Sequence, residues 1–427
     1  MVLTVFVISI FIFLFLGVPV SFSIMLTMGV LVVLTNVTTF AIVPTFLWMG
    51  VNNFALMAIP FFILAGEIMN AGDISKGLVD FCRALLGHIR AGLGYAAILA
   101  CMLFACLSGA AVATVSAIGG IMLPILISEG YDAADSTAVV CAGSITGPII
   151  PPSIPLVLYG VISGVSVTRL FIAGIIPGVI CGVLVMVTWW LKNRNKNYPT
   201  LPRATTKELM GAVKSAFPAL MMPVIMMGGM LIGIFTPTEA GVIAVVYAYL
   251  ISKFVNRKMP FHVFKDCLVN AAKASSIILL VVAASQGLAV VITVARIPQV
   301  IASTLMSVSD NPLVLMCLIN VFILIVGLFM DVIPALSIIG PIFLPIAINV
   351  GMDPLVFGLI LVLGLVIGLV TPPVGNVLYI GIAVSKITLL ELLKSIWPMV
   401  IALVIVLFLI TFFPILITFL PDLIMPL

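Results

Sequence analysis

One acidic residue, Asp331, lies in a long apolar part of the sequence, and two prolines follow it in the segment TPPVGN at 371–376. A similar proline pair occurs earlier, in PIIPPSIP at 148–155. A proline inside a helix removes a hydrogen-bond donor and leaves a carbonyl group unpaired. In a bilayer such a carbonyl is tolerated only where it is buried in protein or lines a cavity. Freed carbonyls can hold Na⁺, so the two breaks predict two related cation sites.

A polar interruption precedes each proline pair, LSGAAVAT at 107–114 and FMDVIPA at 329–335. Each lies midway along an apolar stretch that is too long for one membrane crossing and too short for two. Such a stretch is typical of a re-entrant hairpin whose tip reaches the middle of the membrane. We therefore predict that one hairpin tip and one break form each site. The alternative is a pair of proline kinks that serve packing alone.

The candidate ligands are residues that offer hydroxyl, carboxylate or backbone carbonyl oxygens. Those of the first sodium site are Ser108, Gly109, Thr114, Gly147, Pro151 and Ser153. Those of the second are Asp331, Thr371, Pro372, Gly375 and Asn376. The predicted substrate positions between them are Asp331, Ser108, Ser153 and Arg296. Na⁺ is the only metal that the sequence predicts.

Two charged residues stand out among these candidates. Asp331 is the only charge between Asp310 and Asp353, and an intramembrane carboxylate is a functional candidate by default. Its alternative role is to accept a hydrogen bond inside the protein. Arg296 is the only cation of residues 274–312. It could meet a substrate carboxylate, or it could anchor its helix at the membrane interface.

The composition requires a membrane around these sites. The 427 residues are 64% hydrophobic and 7% charged, whereas soluble domains have about 25% charged residues. Apolar runs long enough for a helix that spans the bilayer recur along the chain, and strand-like alternation is absent. We read the N-terminus as a retained membrane segment, because it has no basic region and no cleavage site. The predicted fold class is an all-α polytopic membrane protein.

The two halves of the chain repeat each other at an offset of 221 residues. Pro151 and Pro152 match Pro372 and Pro373, several glycines also match, and Asp132 matches Asp353. The arm 67–94 of the first half is basic and is therefore predicted to be cytoplasmic, whereas its counterpart at 292–312 has only Arg296 and is predicted to lie outside, which predicts inverted repeats. Inverted repeats of this kind are typical of secondary transporters. Thr236, Pro237 and Glu239 have the order of a capping box and predict a helix start.

These observations predict the following organisation. Inverted repeat 1 covers 1–170, with scaffold helices 1–66, an interfacial arm 67–94, a hairpin 95–130 and a broken helix 132–163. A linking helix and a basic cytoplasmic loop cover 171–216. Inverted repeat 2 covers 217–398, with scaffold helices 217–253, a helix 274–295, a hairpin 312–350 and a broken helix 353–384. A final transmembrane helix covers 395–420.

The sequence lacks the motifs that several kinds of enzyme chemistry require. There is no P-loop, no zinc-protease motif and no catalytic triad pattern, so we predict neither an enzyme nor an organic cofactor. The seven cysteines lie mostly in apolar runs without CxxC spacing, which favours a packing role. No nucleic acid partner is predicted. Membrane lipid is the partner expected from composition, and an anionic small-molecule substrate is expected because half-helix N-termini at the breaks can face an anion.

Four stretches are similar to one known family: SGAAVATVSAIGGIMLPILISEGYD, GPIIPPSIPLVLYG, GIFTPTEA and IGLVTPPVGNVLY. They resemble the large membrane subunit of tripartite ATP-independent periplasmic (TRAP) transporters, in the ion-transporter superfamily. The similarity extends over nearly the whole chain. One departure is Ala110 with Ala111 at the first tip, where relatives often have more serine.

The resemblance implies an elevator mechanism driven by Na⁺, in which the hairpins and broken helices slide against a scaffold. It implies two partners, a small TRAP membrane subunit and a periplasmic substrate-binding protein that delivers an organic acid such as sialic acid or a dicarboxylate. It places the protein in the bacterial inner membrane. Because no further N-terminal helices precede the first repeat, we expect the small subunit to be a separate chain.

Three other functions stay open on the sequence. The first is a proton-coupled organic-anion transporter without a binding protein, with Asp331 as the proton carrier. The second is an anion channel, and the third is a purely structural subunit. Paired breaks and hairpins favour alternating access over a continuous pore.

Overall fold

The computed structural model describes residues 2–35, 41, 43–308, 311–372 and 374–425. In this part of the chain the regular structure is helical and contains no strand. In chain order the helices are α1 (Val2–Phe15), α2 (Val20–Thr35), α3 (Val43–Val51), α4 (Ala58–Ala71), α5 (Ile74–Leu86), α6 (Gly92–Ser108), α7 (Ala111–Ser128), α8 (Ala133–Ser144), α9 (Ile154–Ser163), α10 (Val167–Asn193), α11 (Thr206–Leu231), α12 (Pro237–Val255), α13 (Phe261–Val294), α14 (Ile297–Met306), α15 (Pro312–Gly327), α16 (Val332–Asn349), α17 (Pro354–Gly368), α18 (Asn376–Ser385), α19 (Leu389–Phe412) and α20 (Ile415–Ile424).

Eight helices of the described residues are long and apolar enough to cross a membrane. They are α4 with its preceding turn, α7, α10, α11, α12, α13, α16 and α19. The hairpin arms and the halves of the broken helices are mostly shorter. The predicted fold class, an all-α polytopic membrane protein with hairpins and broken helices, is confirmed.

Each half of the chain contains a tight helical hairpin. In the first, α6 and α7 are separated only by Gly109 and Ala110. The Gly109 backbone has φ of +60°, and its N–H donates to the Ala105 carbonyl at 3.1 Å, which ends α6. In the second, α15 and α16 are separated by residues 328–331, and Asp331 caps α16.

Each half also contains a helix that is interrupted near the proline pair. Residues 145–153 separate α8 from α9, and residues 369–375 separate α17 from α18. Pro373, the second proline of the later pair, lies outside the described residues.

The second half of each broken helix packs on the opposite repeat. Helix α9 packs on α16 and α17, and α18 packs on α7 and α8. The Tyr159 hydroxyl of α9 donates to the Pro354 carbonyl at 2.6 Å, and the Cys141 thiol of α8 contacts the Val377 carbonyl at 3.7 Å. This exchange joins the two hairpins and the two broken helices into one body, which we call the core.

A second set of helices packs around one side of the core, and we call α1–α4 and α11–α13 the outer helices. Helix α13 packs on α2, α3 and α4, and α12 packs on α4. The outer helices meet the core where α4 and α11 contact α6 and where α13 contacts α16. The amphipathic helix α5 packs on both α6 and α11.

Some helix boundaries differ from those predicted. The predicted arm 67–94 includes the end of α4, which continues to Ala71, so the arm itself is the shorter α5. The predicted helix 274–295 begins earlier, at Phe261 after Pro260. The linking helix also begins earlier than 171, at Val167, because the Ser166 hydroxyl accepts a hydrogen bond from the Arg169 N–H.

Capping boxes set two further starts that differ from the prediction. Thr205 begins α11 before residue 217, and Thr388 begins α19 before residue 395. The predicted final helix 395–420 is divided, because α19 ends at Phe412 and Pro414 precedes α20. The predicted start at Thr236 is confirmed, since Thr236 and Glu239 form a capping box at the start of α12.

Candidate functional site

A pair of hydroxyl groups marks the tip of the first hairpin. Ser108 ends α6 and Thr114 lies in the first turn of α7, and both side chains are buried. Their oxygens are 3.1 Å apart, and the Thr114 hydroxyl donates to the Ala110 carbonyl at 2.9 Å. Two hydroxyls and a carbonyl therefore converge within a few ångströms, and all are oxygen ligands of the kind that Na⁺ accepts.

The first tip lies directly against the first break. A Cβ atom added at Gly109 would lie 2.6 Å from the Pro152 carbonyl oxygen. A Cβ atom added at Gly147 would lie 3.2 Å from the Ala110 carbonyl oxygen. Backbone thus meets backbone without side chains between, so the structure brings the tip and break residues of the first predicted site together.

Ser153 has a structural role at this break. Its hydroxyl donates to the Pro148 carbonyl and accepts from the Leu156 N–H at 3.2 Å, which caps α9. The side chain is fully buried, and so is Pro151. Both hydrogen bonds of this hydroxyl are therefore used at the start of α9. They fix the backbone where the break meets this helix.

In the second repeat, backbone contact joins the hairpin to the break in the same way. Gly327 at the end of α15 lies against Gly368 at the end of α17, and a Cβ atom at Gly368 would overlap the Gly327 backbone. Asp331 follows four residues after Gly327, and its carboxylate accepts from the Val332 N–H at 2.8 Å. The Asp331 side chain is exposed in the isolated chain, so it can meet a ligand.

The remaining residues of the second site surround the unwound segment. The Thr371 hydroxyl donates to the Ile367 carbonyl at 2.7 Å. Pro372 is half-buried, Gly375 has φ of +46° and begins α18, and Asn376 is exposed. These four residues lie within the segment 371–376. This segment follows the end of α17, which contacts the hairpin at Gly327.

Arg296 lies apart from these two clusters. It occupies the turn between α13 and α14, with φ of +58° and an exposed side chain. Within the described residues this guanidinium has no hydrogen bond or ion pair. No contact in the structure joins it to either tip, and both roles suggested by the sequence stay predictions.

Sequence reasoning missed a carboxylate that faces the first tip. Glu67 and Asn70, on α4, line a cavity of about 90 Å³ together with Ser108, Ala110, Ala113 and Ile154. The neighbouring Gly66 brings α4 close to the tip, since a Cβ atom there would lie 3.6 Å from Ser108 Cα. The predicted interfacial arm 67–94 begins with Glu67, although this residue follows the apolar run IPFFILAG. That run was the signal that could have identified it.

Sequence reasoning also missed a buried ion-pair cluster. Asp135, in the first turn of α8, is 3% exposed and accepts from Lys192 at 2.5 Å, from Lys196 at 2.6 Å and from the Ser395 hydroxyl at 2.7 Å. Burial lowers the pKa of the Lys196 ammonium and the Asp135 carboxylate raises it, with a net upward shift. The cluster ties the start of α8 to α10 and α19. Its members are far apart in sequence, so no local pattern indicated it.

Within the described residues no group of three or more His, Cys, Asp or Glu side chains could hold a metal ion. The chemistry of the two tip-and-break clusters is therefore that of hydroxyl, carboxylate and backbone oxygens. Such oxygens fit a hard monovalent cation and the polar groups of a small organic solute.

Comparison with known proteins identifies relatives over nearly the whole chain. The chain is 39% identical to the 2,3-diketo-L-gulonate TRAP transporter large permease protein YiaN of Escherichia coli K12, covering 93% of this chain and 94% of that one. It is 38% identical to the C4-dicarboxylate TRAP transporter large permease protein DctM of Pseudomonas aeruginosa, covering 85% of each. It is 35% identical to the sialic acid TRAP transporter large permease protein SiaM of Vibrio cholerae, covering 96% of each.

The fold is similar to that of the YdaH transporter of Alcanivorax borkumensis, with a TM-score of 0.63 over 86% of each chain at 13% identity. The family model for the tripartite ATP-independent periplasmic transporter, DctM component, matches residues 7–416. The chain therefore belongs to the DctM component family, the large permease subunits of the TRAP transporters.

Proposed function

We propose that this large permease subunit imports an organic acid together with Na⁺, by an elevator movement of the core against the outer helices. The observation that supports the proposal is the backbone contact between hairpin and broken helix, present in both repeats. In the first repeat this contact lies at the tip with its two hydroxyl groups, and in the second it lies four residues before the tip carboxylate of Asp331. Large permease subunits of this family lie in the bacterial inner membrane, so we place this chain there as a multi-pass protein.

The sodium part of the proposal depends on the oxygen clusters. The first site would use Ser108, Thr114 and the Ala110 carbonyl at the tip, with backbone carbonyls from the break at 147–153. The second would use Asp331 with oxygens of the segment 371–376. Unwound carbonyls at mid-membrane need a partner, and a cation that moves with the core supplies one.

The elevator part of the proposal depends on which helices pack against each other. Each hairpin packs on the other repeat's broken helix, so the core moves as one body or not at all. The core meets the outer helices over separate contacts, at α4, α11 and α13. The core can therefore slide along these helices while its own packing stays unchanged.

The partners come from the family. We propose a small TRAP membrane subunit and a periplasmic binding protein that delivers the acid. The relatives named above carry 2,3-diketo-L-gulonate, C4-dicarboxylate or sialic acid in their names, so the solute class is an organic acid. An enzymatic role has no support, because the family is one of transporters.

The test is uptake of a panel of labelled organic acids into proteoliposomes that contain this chain and its small subunit. The binding protein is added outside, with or without an inward Na⁺ gradient at fixed pH. We expect uptake only when both are present. Uptake that follows a proton gradient without Na⁺ would instead identify the proton-coupled alternative, and a continuous ionic current would identify a channel.

A further inference from the structure

Glu67 is a charged side chain in a helix of membrane-spanning length. The span Phe54–Ala71 is apolar, and Glu67 is only partly exposed within it. Among the residues that the structure describes, its carboxylate has no ion pair and no hydrogen bond. An unpaired carboxylate in a bilayer is costly, so its presence indicates that a ligand satisfies it in some state of the protein.

The position of Glu67 indicates which ligand that is. Gly66 packs against Ser108, so Glu67 lies beside the first hairpin tip. Asn70 follows three residues later, which places both polar groups on the same face of α4. Both line the cavity of about 90 Å³ that Ser108 and Ala110 also border, and none of the described residues that line it is cationic.

A carboxylate with no cation beside it cannot favour the carboxylate group of a substrate. It accepts hydrogen bonds, and hydrogen bonds from hydroxyl groups to a charged acceptor are among the stronger ones. A ligand that satisfies the Glu67 carboxylate and the Asn70 amide oxygen must therefore present several hydroxyl or amide donors at the end or side opposite its own carboxylate.

We propose that Glu67 and Asn70 form an acceptor pair that binds the hydroxyl groups of a polyhydroxy monocarboxylic acid, which makes sugar acids the substrate class. The inference rests on the proposed function and narrows it. Unsubstituted dicarboxylates are disfavoured for two reasons. They leave the Glu67 and Asn70 acceptors without donors, and they bring a second negative charge toward Glu67.

The size of the cavity says when this contact forms. Binding sites for small molecules usually have volumes of about 300–1,000 Å³, so the present cavity is too small for a sugar acid. The tip must separate from α4 to admit one. Glu67 lies on α4, one of the outer helices. It therefore contacts the acid in those states in which the core holds the acid beside α4. It is a specificity residue of the permease itself, independent of the binding protein.

The test is ligand-induced thermal stabilisation of the purified complex of this chain with its small subunit, without binding protein, in Na⁺ buffer and in a Na⁺-free control. The probes are gluconate, hexanoate and succinate, because hexanoate has the chain length of gluconate without its hydroxyl groups. We expect stabilisation by gluconate in Na⁺ and little by the other two. Glu67→Gln should weaken gluconate binding about 10- to 100-fold, and Asn70→Ala should weaken it by less.

Asp266→Asn serves as the matched control, since Asp266 is exposed at the start of the outer helix α13. The melting temperature of each variant without ligand establishes that it is folded. Sodium-dependent binding of succinate or hexanoate in preference to gluconate, or gluconate binding unchanged in both variants, would overturn the inference and leave the proposed function intact. Binding of every acid without any need for Na⁺ would overturn both.

Discussion

The two hairpin tips occupy equivalent places in the repeats but carry their charge differently. Ala110 and Asp331 are related by the 221-residue offset, and each is the cap residue that precedes the second arm of its hairpin. The first tip has two hydroxyls and no carboxylate, whereas the second has a carboxylate. On the outer helices the order is reversed, since Glu67 of α4 corresponds to Leu288 of α13.

This exchange indicates that the two sites have different tasks. In the proposed elevator movement, a carboxylate on the tip would move with the core and could accompany a cation through the whole cycle. A carboxylate on α4 would stay with the outer helices and meet only what the core presents to it. Backbone contact between hairpin and broken helix, which occurs in both repeats, is therefore suited to a shared function, ion binding, and the asymmetric charges are suited to distinguishing the ion from the acid.

The largest expected effect is at Asp331. Asp331→Ala should reduce sodium-dependent uptake in proteoliposomes about 100-fold or more, because the second site loses its only tip carboxylate. Asp266→Asn on the outer helices should keep normal uptake. Retention of sodium-dependent uptake in Asp331→Ala would show that the second tip does not bind the coupling ion, and the comparison between tips would lose its basis.

A smaller effect is expected from separating tip and break. Gly368→Ala places a methyl group in the Gly327 backbone, and overpacking of this kind costs about 1–3 kcal/mol. Uptake should fall with it, because the second site no longer closes. Gly109→Ala tests the first repeat, where the methyl group would meet the Pro152 carbonyl at 2.6 Å and φ is positive.

Gly120→Ala is the matched control for both glycine variants. Gly120 lies in α7, and an added Cβ atom would have no neighbour within 4 Å. Alanine favours a helix over glycine, so this variant should be neutral or slightly stabilised. Equal melting temperatures for Gly368→Ala and Gly120→Ala would contradict the close backbone contact that defines the second site.

The next effect concerns stability rather than transport. Asp135→Asn removes the carboxylate that two lysines and Ser395 share, and breaking a buried ion pair typically costs about 3–5 kcal/mol. Here the expected cost is lower, because Lys192 and Lys196 are partly exposed and water can solvate them. Lys196→Met should cost still less, since Asp135 keeps Lys192. Thermal unfolding of the purified protein in detergent should rank the variants in that order.

The features that sequence reasoning predicted are those encoded locally. The hairpin tips, the proline breaks and the capping box at Thr236 depend on a few adjacent residues, and repetition at a fixed offset reinforced them. The approach of Gly109 to Pro152, or of Gly327 to Gly368, could be predicted only in outline, because glycine patterns do not name the backbone that a glycine meets.

The features that sequence reasoning missed depend on distant parts of the chain. The three partners of Asp135 follow it in the chain at separations of 57, 61 and 260 positions. The local charge pattern around the two lysines indicates only a solvated basic loop. The sequence pattern groups Glu67 with the lysines and arginines that follow it, in the predicted interfacial arm 67–94. The position of Glu67 beside the first hairpin tip depends on the packing of α4 against α6. The hydrophobic periodicity of the sequence does not predict which two helices pack together.

The smallest expected effect distinguishes two of the serines of the first site, Ser153 and Ser108. Ser153 caps α9, so Ser153→Ala should cost about 1 kcal/mol of stability, the usual value for loss of such a cap. The Ser108 hydroxyl caps no helix and lies 3.1 Å from the Thr114 hydroxyl, and Ser108 lines the cavity beside Glu67. Ser108→Ala should therefore leave the melting temperature nearly unchanged and raise the Na⁺ concentration needed for half-maximal uptake several-fold. The reverse pattern, with Ser153→Ala altering Na⁺ dependence and Ser108→Ala altering stability alone, would move the first ion site from the hairpin tip to the proline break.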